Sequence, residues 1–330
     1  MTRRTPEFSI ILAGGKGTRM RSADRHKVCF EVDGRPAIVR ALDVYKGCGI
    51  RQHIVVVGVL AEQVMQTVAR EHAGVLYAYQ AEQLGTGNAA RVGLAALERL
   101  GRDADVLLVA GDRLIEPLAL ERLIDLYYAE RCDLAFMVGR RGPRSTQGRV
   151  LFDGEGAPLA VIELRDIQQR TAIAALRARL EATPALAPEG LRSEARAILT
   201  AEMDAARAAV AFDWLWPALQ AEGPAPSRAQ WEAWLGADPD LERFRFSTPD
   251  GRTLAFSPET VREADAANVS VYLLKASALR YALDRLNTEN AQREEYLSDI
   301  VNLLAQAREG GGYRVRALRV DDPHAVMGYN

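Results

Sequence analysis

The sequence predicts an α/β fold, with a Rossmann-like, mostly parallel sheet flanked by helices and an inserted helical subdomain. Short apolar runs such as 53–58 (HIVVVG) and 106–110 (VLLVA) have the length and β-branched content of buried strands. Segments with helical spacing separate these runs, so right-handed crossovers would place successive strands parallel to one another. A glycine-rich loop follows the first apolar run, and ligands in such folds bind beyond the carboxyl ends of the strands.

The elements follow in order along the chain. The pattern predicts strands at 10–13, 53–58, 75–80, 106–110, 132–139 and 313–320, helices at 36–46, 61–72 and 87–100, and a hairpin formed by 148–153 and 158–164. The segment 290–300 (NAQREEYLSDI) is also predicted to be helical, with its polar start facing the ligand crevice.

Composition limits the class of protein. The 330 residues are 48% hydrophobic and carry a formal net charge of −2, which permits one large or two ordinary domains and gives no indication of nucleic-acid binding. Cys29, Cys48 and Cys132 are odd in number and widely spaced, which disfavours a zinc site or a disulfide framework and favours reduced, buried thiols in a cytoplasmic protein. No apolar run reaches membrane-spanning length, and no apolar signal core follows Arg3 and Arg4.

The glycine-rich loop is the first candidate for ligand binding. In the segment 10–27 (IILAGGKGTRMRSADRHK), Gly14 and Gly15 allow the backbone to approach a ligand and direct N–H groups toward phosphate oxygens. Arg19 and Lys27 would add positive charge for a polyphosphate. The segment contains neither a Walker P-loop nor G-x-G-x-x-G. A tight turn with solvated basic residues is the alternative interpretation.

Two further stretches follow predicted strand ends. In 80–88 (QAEQLGTGN), the Gln80 amide offers a paired donor and acceptor to a base edge, and Gly85 and Thr86 permit close backbone approach at a helix start. A helix start with Thr86 as its cap is the alternative. Asp112 directly follows a buried strand, a position suited to a magnesium ligand, although Asp also caps turns. Because these residues all follow strand ends, they are expected to converge on one crevice.

These motifs resemble those of the nucleotide-sugar pyrophosphorylase (nucleotidyltransferase) family. The chain is most similar to the uridylyltransferase domain of bacterial bifunctional N-acetylglucosamine-1-phosphate uridylyltransferase/glucosamine-1-phosphate acetyltransferases. The matching motifs are L-x-x-G-x-G-T-R-M followed by a lysine, Q-A-E-Q-L-G-T-G and A-G-D, with weaker matches at 148–163, 263–272, 290–300 and the chain end. The resemblance covers residues 8–165 and 260–330. Ala110 stands where the family carries Tyr, and Ser270 where it carries Gly.

The resemblance implies a reaction and a site. The oxygen of a sugar-1-phosphate would attack the α-phosphorus of UTP and expel pyrophosphate, with Mg²⁺ as cofactor. The sugar phosphate that the resemblance most directly implies is N-acetylglucosamine-1-phosphate. The implied roles are catalytic for Arg19 and Lys27, nucleotide-binding for Leu12, Ala13, Gly14, Gly15, Gln80, Gly85 and Thr86, sugar-binding for Gly148, Glu163 and Asn268, and metal-binding for Asp112 and Asn330. Without the resemblance, Glu163 would be interpreted as an exposed strand residue.

An insert interrupts the resemblance at 167–259. This segment is rich in Ala, Arg and Glu, predicts helices at 167–181 and 191–220, and ends in a hairpin over 246–256. It carries all four tryptophans, Trp214, Trp216, Trp231 and Trp234. They would form the small core of a helical subdomain, or the insert would serve as a lid or a homo-oligomer contact. The predicted domains are therefore 1–166 with 260–330, and 167–259.

Three alternatives stay open at this point. The same chemistry could use another nucleotide or sugar phosphate, such as glucose-1-phosphate with dTTP or UTP. Molybdenum-cofactor guanylyltransferases share the L-A-G-G opening, but the Q-A-E-Q-L-G-T-G stretch argues against them. A non-catalytic regulatory homologue would keep the fold without turnover. The sequence shows no hexapeptide repeats, so acetyltransferase activity is not expected from these residues.

Overall fold

A computed structural model describes residues 3–15, 24–101, 104–142, 145–236, 241–248, 251–307 and 312–328. They divide into two compact units. Unit 1 lies within Met1–Val161, Asp265–Asn287 and Glu295–Asn330, and unit 2 comprises Ile162–Ala264 and Thr288–Glu294. No helix in the described ranges combines the length and apolar character that crossing a bilayer requires.

The strands and helices alternate through the first half of the chain. The strands are β1 Phe8–Ala13, β2 Glu31–Val32, β3 Arg35–Pro36, β4 Gln52–Val57, β5 Leu76–Tyr79, β6 Asp105–Ala110, β7 Arg113–Ile115, β8 Leu134–Arg140, β9 Arg149–Phe152, β10 Pro158–Ile162, β11 Phe244–Ser247, β12 Thr253–Phe256, β13 Ala266–Lys275, β14 Val315–Val320 and β15 Val326–Gly328. The helices are α1 Ala37–Gly47, α2 Ala61–Ala69, α3 Thr86–Arg99, α4 Pro117–Ala129, α5 Leu164–Ala182, α6 Pro188–Leu199, α7 Ala205–Ala211, α8 Trp216–Gln220, α9 Arg228–Gly236, α10 Pro258–Glu263, α11 Ala276–Leu283 and α12 Asp299–Gln306, with a 3₁₀ turn at Lys27–Cys29.

One large sheet organises the fold. Among the described residues it has nine strands, with a central order β10-β9-β13-β6-β1-β4-β5 and with β8 pairing both β13 and β14. β1 runs parallel to β4 and β6, β4 runs parallel to β5, and β8 runs parallel to β14. β13 runs antiparallel to β6, β8 and β9. The predicted α/β class, with a mostly parallel sheet flanked by helices, is confirmed.

Side chains of the central strands alternate between the two faces of the sheet and contribute to a hydrophobic core on each face. Ile11 and Val55 pack with α1, α2 and α4, whereas Ile10 and Ile54 pack with α3, α11 and α12. Neighbouring residues of a strand point to opposite faces, so strands buried on both sides are continuously apolar. The helices thus pack on both faces of the sheet, and the ends of its strands are the places where a functional site can form.

Unit 2 has a core of its own. Trp231 is fully buried and meets Trp234 edge to face at 5.3 Å, while Phe212 and Leu176 pack in the same cluster. Trp214 is 37% exposed. Three of the four tryptophans thus belong to or pack against this core, as the subdomain-core interpretation expects.

Two helix predictions are wrong. The segment 191–220 forms α6, α7 and α8 instead of one helix, because the Asp204 carboxylate accepts a hydrogen bond from Arg207 N (2.9 Å) and caps a new helix. In 290–300, helix begins only at Asp299. At the start of this segment, Asn290 Oδ1 accepts hydrogen bonds from Gln292 N (3.1 Å) and Glu294 N (3.3 Å). These bonds satisfy the backbone N–H groups in a turn instead of a helix.

Gly93 in α3 yields a prediction about stability. A Cβ atom at Gly93 would overlap Ile10 Cγ2 and lie 3.1 Å from Val56 Cγ2. We expect Gly93→Ala to lower the melting temperature, since overpacking costs about 1–3 kcal/mol and exceeds the gain in helix propensity of about 1 kcal/mol. Gly47→Ala in α1 is the matched control: a Cβ there has open space, so it should raise stability by about 0.4–1 kcal/mol. An increase in melting temperature for Gly93→Ala would contradict this packing.

Asp166 in α5 yields a prediction about how the stability of unit 2 depends on pH. Burial raises the pKa of its carboxyl from 3.8 to about 6, a rise that the hydrogen bond from Ala291 N (2.8 Å) opposes and the charge of Glu163 assists. The folded state therefore binds the proton more tightly than the unfolded state. The stability of unit 2 should fall as pH rises from about 4 to about 6 and stay lower above that range.

Asp166→Asn should remove this dependence while keeping an acceptor for Ala291 N. At pH 7.5 the variant should unfold with a free energy about 3 kcal/mol higher than that of the wild type, and near pH 4 the two should agree. Urea denaturation followed by tryptophan fluorescence measures this, because all four tryptophans lie in unit 2. Glu181→Gln, on the exposed face of α5, should keep the wild-type profile. Identical profiles for Asp166→Asn and wild type would refute the assignment.

Candidate active site

Parallel strands bring the predicted residues to one edge of the sheet. β1, β4, β5 and β6 all run in the same direction, so the residues that follow them, Gly14, Gly58, Gln80 and Gly111, lie at the same edge. Gly111 N donates to Leu12 O at 2.8 Å and Gln80 N donates to Val57 O at 2.8 Å. The structure therefore brings the glycine loop, Gln80 and Asp112 to the same edge of the sheet, as their positions after strand ends predicted.

Gly14 and Gln80 are in close contact at this edge of the sheet. Gln80 is only 2% exposed, and its Nε2 donates to Asn88 Oδ1 at 2.8 Å. Its Oε1 lies so close to Gly14 that a Cβ atom at that position would overlap it. The amide is therefore held in one orientation by α3 on one side and by the loop on the other. The role of Asn88 was missed from sequence, and its place within the QAEQLGTGN stretch was the available signal.

Gly58 is a second residue that sequence reasoning missed. A Cβ atom at Gly58 would lie 2.5 Å from Gly14 O, and Val59 N donates to that same oxygen at 3.2 Å. Two glycines from different strands thus allow the backbones after β1 and β4 to touch. A glycine directly after the HIVVV run was the signal.

Gly85 and Thr86 start α3 in a way that differs from the capped-helix alternative. Gly85 has φ +115° and occupies the cap position, without a side-chain cap. Thr86 Oγ1 instead accepts a hydrogen bond from Leu297 N at 3.0 Å, and Gly87 N donates to Glu295 O at 2.8 Å. Thr86 is therefore not the helix cap, and its hydroxyl ties the helix start to the segment before α12.

Lys27 and Asp112 form the charged centre of the site. Lys27 Nζ lies 2.5 Å from Asp112 Oδ2, and the two side chains are 14% and 21% exposed. Arg113 Nε approaches Asp112 Oδ1 at 3.6 Å without a hydrogen bond. Burial, with a smaller effect of the Asp112 charge, raises the pKa of Tyr45, whose buried hydroxyl has no hydrogen-bond partner among the described residues. Asp112 thus lies beside the Lys27 ammonium, the Arg113 guanidinium and the neutral phenol of Tyr45.

Asp112 retains an oxygen that suits a metal ion. Its buried Oδ1 has no hydrogen-bond partner in the part of the chain that the structure describes. The same part contains no cluster of three or more His, Cys, Asp or Glu side chains placed for a metal. Mg²⁺ commonly binds through one or two carboxylates plus substrate phosphates and water, so one carboxylate oxygen fits Mg²⁺ arriving with a nucleotide.

The last described strand, β15, lies beside Arg113, the residue that follows Asp112. β15 pairs antiparallel with β7, and Gly328 lies opposite Arg113. A Cβ atom at Gly328 would overlap the Arg113 guanidinium, so this arginine packs directly across the glycine backbone. The pairing was not predicted from sequence, since both strands are only three residues long. Arg19 and Asn330, predicted as catalytic and metal-binding, lie outside the described residues.

The predicted sugar-binding residues fall into two groups. Gly148 and Asn268 lie together in unit 1, where Asn268 N donates to Gly148 O at 2.9 Å. The Asn268 side chain is 4% exposed; its Nδ2 donates to Tyr272 OH at 2.7 Å, and its Oδ1 accepts from Ser270 N at 3.1 Å. Glu163 belongs to unit 2, where it directly precedes α5.

Ser270 keeps an unusual backbone conformation. Its φ is +59°, within a β-bulge of β13 between Asn268 and Tyr272. This region of φ favours glycine, which the resemblance places at this position, and costs about 1–2 kcal/mol for another residue. The bulge therefore persists without the glycine, and the hydrogen bond from Ser270 N to Asn268 helps to hold it.

Comparisons with known proteins identify the family to which the chain is similar. The family model of the MobA-like NTP transferase domain matches residues 9–213. The bifunctional protein GlmU of Mycolicibacterium gilvum is 28% identical over 326 residues, which cover 97% of this chain and 46% of that protein. GlmU of Rhizorhabdus wittichii is 38% identical over 163 residues, 49% of this chain and 35% of that protein. The chain thus spans less than half the length of these curated relatives.

A solved structure shares the fold. The crystal structure of HddC from Yersinia pseudotuberculosis superposes with a TM-score of 0.50 at 12% sequence identity, covering 95% of this chain and 90% of that one. The family match spans more than half of the chain and includes the glycine loop, Gln80, Lys27 and Asp112. The chain therefore belongs to the MobA-like NTP transferase domain family.

Proposed function

We propose that this protein is a magnesium-dependent nucleotidyltransferase that converts UTP and a sugar-1-phosphate into a UDP-sugar and pyrophosphate. The sugar phosphate that we propose as the substrate is N-acetylglucosamine-1-phosphate. The observation that carries the proposal is the placement of the Gly14–Gln80 contact and the Lys27–Asp112 pair at one sheet edge. The first offers a surface for a nucleoside, and the second offers charge for its phosphates. The similarity to GlmU proteins supports the choice of UTP and this sugar phosphate.

The nucleoside side of the site would use backbone and amide groups. Gln80 is the proposed contact to the edge of a base; because it is 2% exposed and its Nε2 bonds to Asn88, only the part of its amide that faces Gly14 would be available to the base. The backbone from Leu12 to Gly15 would contact the base and ribose. Gly85 and Thr86 would border the base at the start of α3. Such a site recognises a base by complementary donors and acceptors, which discriminate more strongly than apolar contacts.

The chemical step needs positioning and charge more than a protein nucleophile. An oxygen of the sugar phosphate attacks the α-phosphorus of UTP in line with the leaving group. The bond from the α-phosphorus to the bridging oxygen breaks, and its electron pair leaves with pyrophosphate. Lys27 and Arg19 would stabilise the negative charge of the triphosphate and of the leaving group. Asp112 and Asn330 would hold Mg²⁺, which, when bound, supplies further charge neutralisation on the phosphates.

The identity of the sugar phosphate is the part of the proposal that most needs a test. Gly148 and Asn268, which lie together in unit 1, are its proposed contacts, and Glu163 is proposed from the resemblance alone. The Asn268 side chain is already bonded to Tyr272 and Ser270. Glucose-1-phosphate, with dTTP or UTP, is the alternative that the resemblance leaves open beside the N-acetylated sugar.

We further propose that 167–259 is an inserted accessory subdomain that contributes a lid or a homo-oligomer contact. The free, buried Cys29, Cys48 and Cys132 support a cytoplasmic location.

Pyrophosphate release across a substrate matrix tests the function. Four NTPs and dTTP are paired with N-acetylglucosamine-, glucose- and mannose-1-phosphate, each with and without Mg²⁺. We expect release with UTP and N-acetylglucosamine-1-phosphate only when Mg²⁺ is present. Release with a different pair would reassign the substrates, and nucleotide binding without release from any pair would favour a regulatory homologue.

Lys27→Ala tests the charge in the mechanism. Removing the ammonium takes from Asp112 its closer cationic partner and from the triphosphate one of its two proposed cations, so kcat should fall at least about 100-fold. Lys275→Ala is the matched control, because Lys275 pairs with Asp133 at the opposite end of the sheet and should keep wild-type turnover. Wild-type turnover by Lys27→Ala, with an unchanged fold by circular dichroism, would overturn the mechanism.

Gly14→Ala tests the nucleoside surface. The added methyl group would displace the Gln80 amide, so the Kd for UTP, measured by calorimetry, should rise about tenfold or more. Gly154→Ala, in an open hairpin turn where a Cβ meets no atom within 4 Å, should bind UTP as the wild type does. Equal affinities for all three proteins would place the nucleoside elsewhere.

A further inference from the structure

Arg113 is a cation beside the proposed metal ligand to which the proposed reaction gives no role. It directly follows Asp112 in the chain. Its Nε lies 3.6 Å from Asp112 Oδ1, and its side chain is 16% exposed. That distance is longer than a hydrogen bond, and both atoms are buried without a hydrogen-bond partner among the described residues. A guanidinium therefore lies unbonded beside the carboxylate oxygen that the metal would use.

Backbone hydrogen bonds fix the position of Arg113 on both sides. Before it, Gly111 N donates to Leu12 O at 2.8 Å and ties the chain to β1. After it, Glu116 N donates to Ala325 O at 2.9 Å, and β7 pairs with β15 between these points. Because the backbone is held in this way, the direction of the side chain decides how close the guanidinium comes to the carboxylate.

Gly328 provides the space that the guanidinium occupies. It lies opposite Arg113 in the pair of β7 with β15. A Cβ atom at Gly328 would overlap Arg113 Nη1 and lie 2.9 Å from its Cζ, so a side chain at this position would displace the guanidinium. The overlapped atoms are the end of a long side chain, which can move while the two strands stay paired. The missing side chain of Gly328 therefore sets the place of the charge.

The charges around Asp112 disfavour a metal ion that arrives alone. Lys27 Nζ lies 2.5 Å from Oδ2 and Arg113 Nε lies 3.6 Å from Oδ1, so two cations surround one carboxylate. A divalent cation on Oδ1 would be repelled by both, and like charges a few ångströms apart repel strongly where side chains are largely buried. The negative charge of a triphosphate offsets that repulsion. The arrangement therefore favours metal bound together with a nucleotide.

We propose that Arg113, held in the space at Gly328, keeps free divalent metal off Asp112 and so makes metal binding at this carboxylate depend on the nucleotide. The inference rests on the proposed function, which assigns the metal to Asp112 and the nucleotide to the same site. Arg113 acts through Asp112 and touches no reacting atom, so it is a positioning residue. Metal and nucleotide would each strengthen the binding of the other, as linkage between two ligands requires.

Titration with Mn²⁺ alone, followed by electron paramagnetic resonance on the full chain, tests the charge of Arg113. Arg113→Gln removes the cation, so the Kd for Mn²⁺ should fall at least about fivefold. Arg113→Lys keeps the charge and should stay within about twofold of the wild type. A residue that merely supported Asp112 would give the opposite sign, because its loss would weaken metal binding. An equal or higher Kd in Arg113→Gln would overturn the proposal.

Two further variants locate the effect. Adding Asp112→Asn to Arg113→Gln should abolish the gain in Mn²⁺ affinity, because the gain arises at that carboxylate. Arg316→Gln is the matched control for the change in net charge: Arg316 pairs with Glu130 at 2.6 Å, and its loss should leave the Kd at the wild-type value. A gain that survives Asp112→Asn, or an equal gain in Arg316→Gln, would contradict the proposal. Circular dichroism confirms that each variant is folded.

Gly328→Ala tests the space that holds the guanidinium. In the wild-type background it should change the Kd for Mn²⁺ at least about threefold, and in the Arg113→Gln background it should change nothing, because its effect passes through Arg113. Gly154→Ala, where a Cβ meets no atom within 4 Å, should have no effect in either background. An equal effect of Gly328→Ala in both backgrounds, or no effect in either, would refute the role of Gly328.

Titration in the presence of UTP separates this inference from the proposed function. With saturating UTP, wild type and Arg113→Gln should bind Mn²⁺ within about twofold of each other, since the phosphates offset the guanidinium charge. A difference as large as that without nucleotide would overturn the dependence on nucleotide. If the wild type neither binds UTP nor releases pyrophosphate, the proposed function fails, and the titration with Mn²⁺ alone still decides whether Arg113 keeps metal off Asp112.

Discussion

The lack of a side chain at Gly14 is the constraint on which the rest of the site depends. Gly14 lies at the end of β1, where a Cβ atom on it would overlap Gln80 Oε1, and a Cβ atom on Gly58 would in turn lie 2.5 Å from Gly14 O. The parallel pairing of β1 with β4, and of β4 with β5, places these three residues at the same level. The helices on both faces hold that pairing through continuous apolar packing. Sheet and site are therefore specified by the same interactions.

A compact group of charges completes the site beside this contact. A partly buried carboxylate is costly unless it is paired, and Lys27 provides the partner for Asp112. Arg113 lies near the other carboxylate oxygen and also packs across Gly328, so it links the charge of Asp112 to the last described strand. The oxygen without a hydrogen bond is the part of this group that an incoming cation can use. His26 caps the 3₁₀ turn that begins at Lys27, because its Nδ1 accepts a hydrogen bond from Val28 N.

Sequence reasoning succeeded where one local pattern determines the structure. Apolar runs such as HIVVVG predicted buried parallel strands, and the rule that parallel strand ends converge predicted that Gln80 and Asp112 share a crevice with Gly14. It failed where distant segments decide the outcome. Thr86 is a residue type common at helix caps, yet its hydroxyl accepts a hydrogen bond from Leu297 N, more than two hundred residues away along the chain. The three-residue strands β7 and β15 and the turn at Asn290 also depend on partners that no local pattern reveals.

A crystal structure with UTP and Mn²⁺ tests the central claim most directly, because anomalous scattering locates the metal independently of the nucleotide. We predict the uracil against Gln80 and Gly14, the phosphates beside Lys27, and Mn²⁺ coordinated by Asp112 through the oxygen that now lacks a hydrogen bond. A nucleotide bound away from the Gly14–Gln80 contact, or a metal without Asp112 among its ligands, would contradict this account of the site.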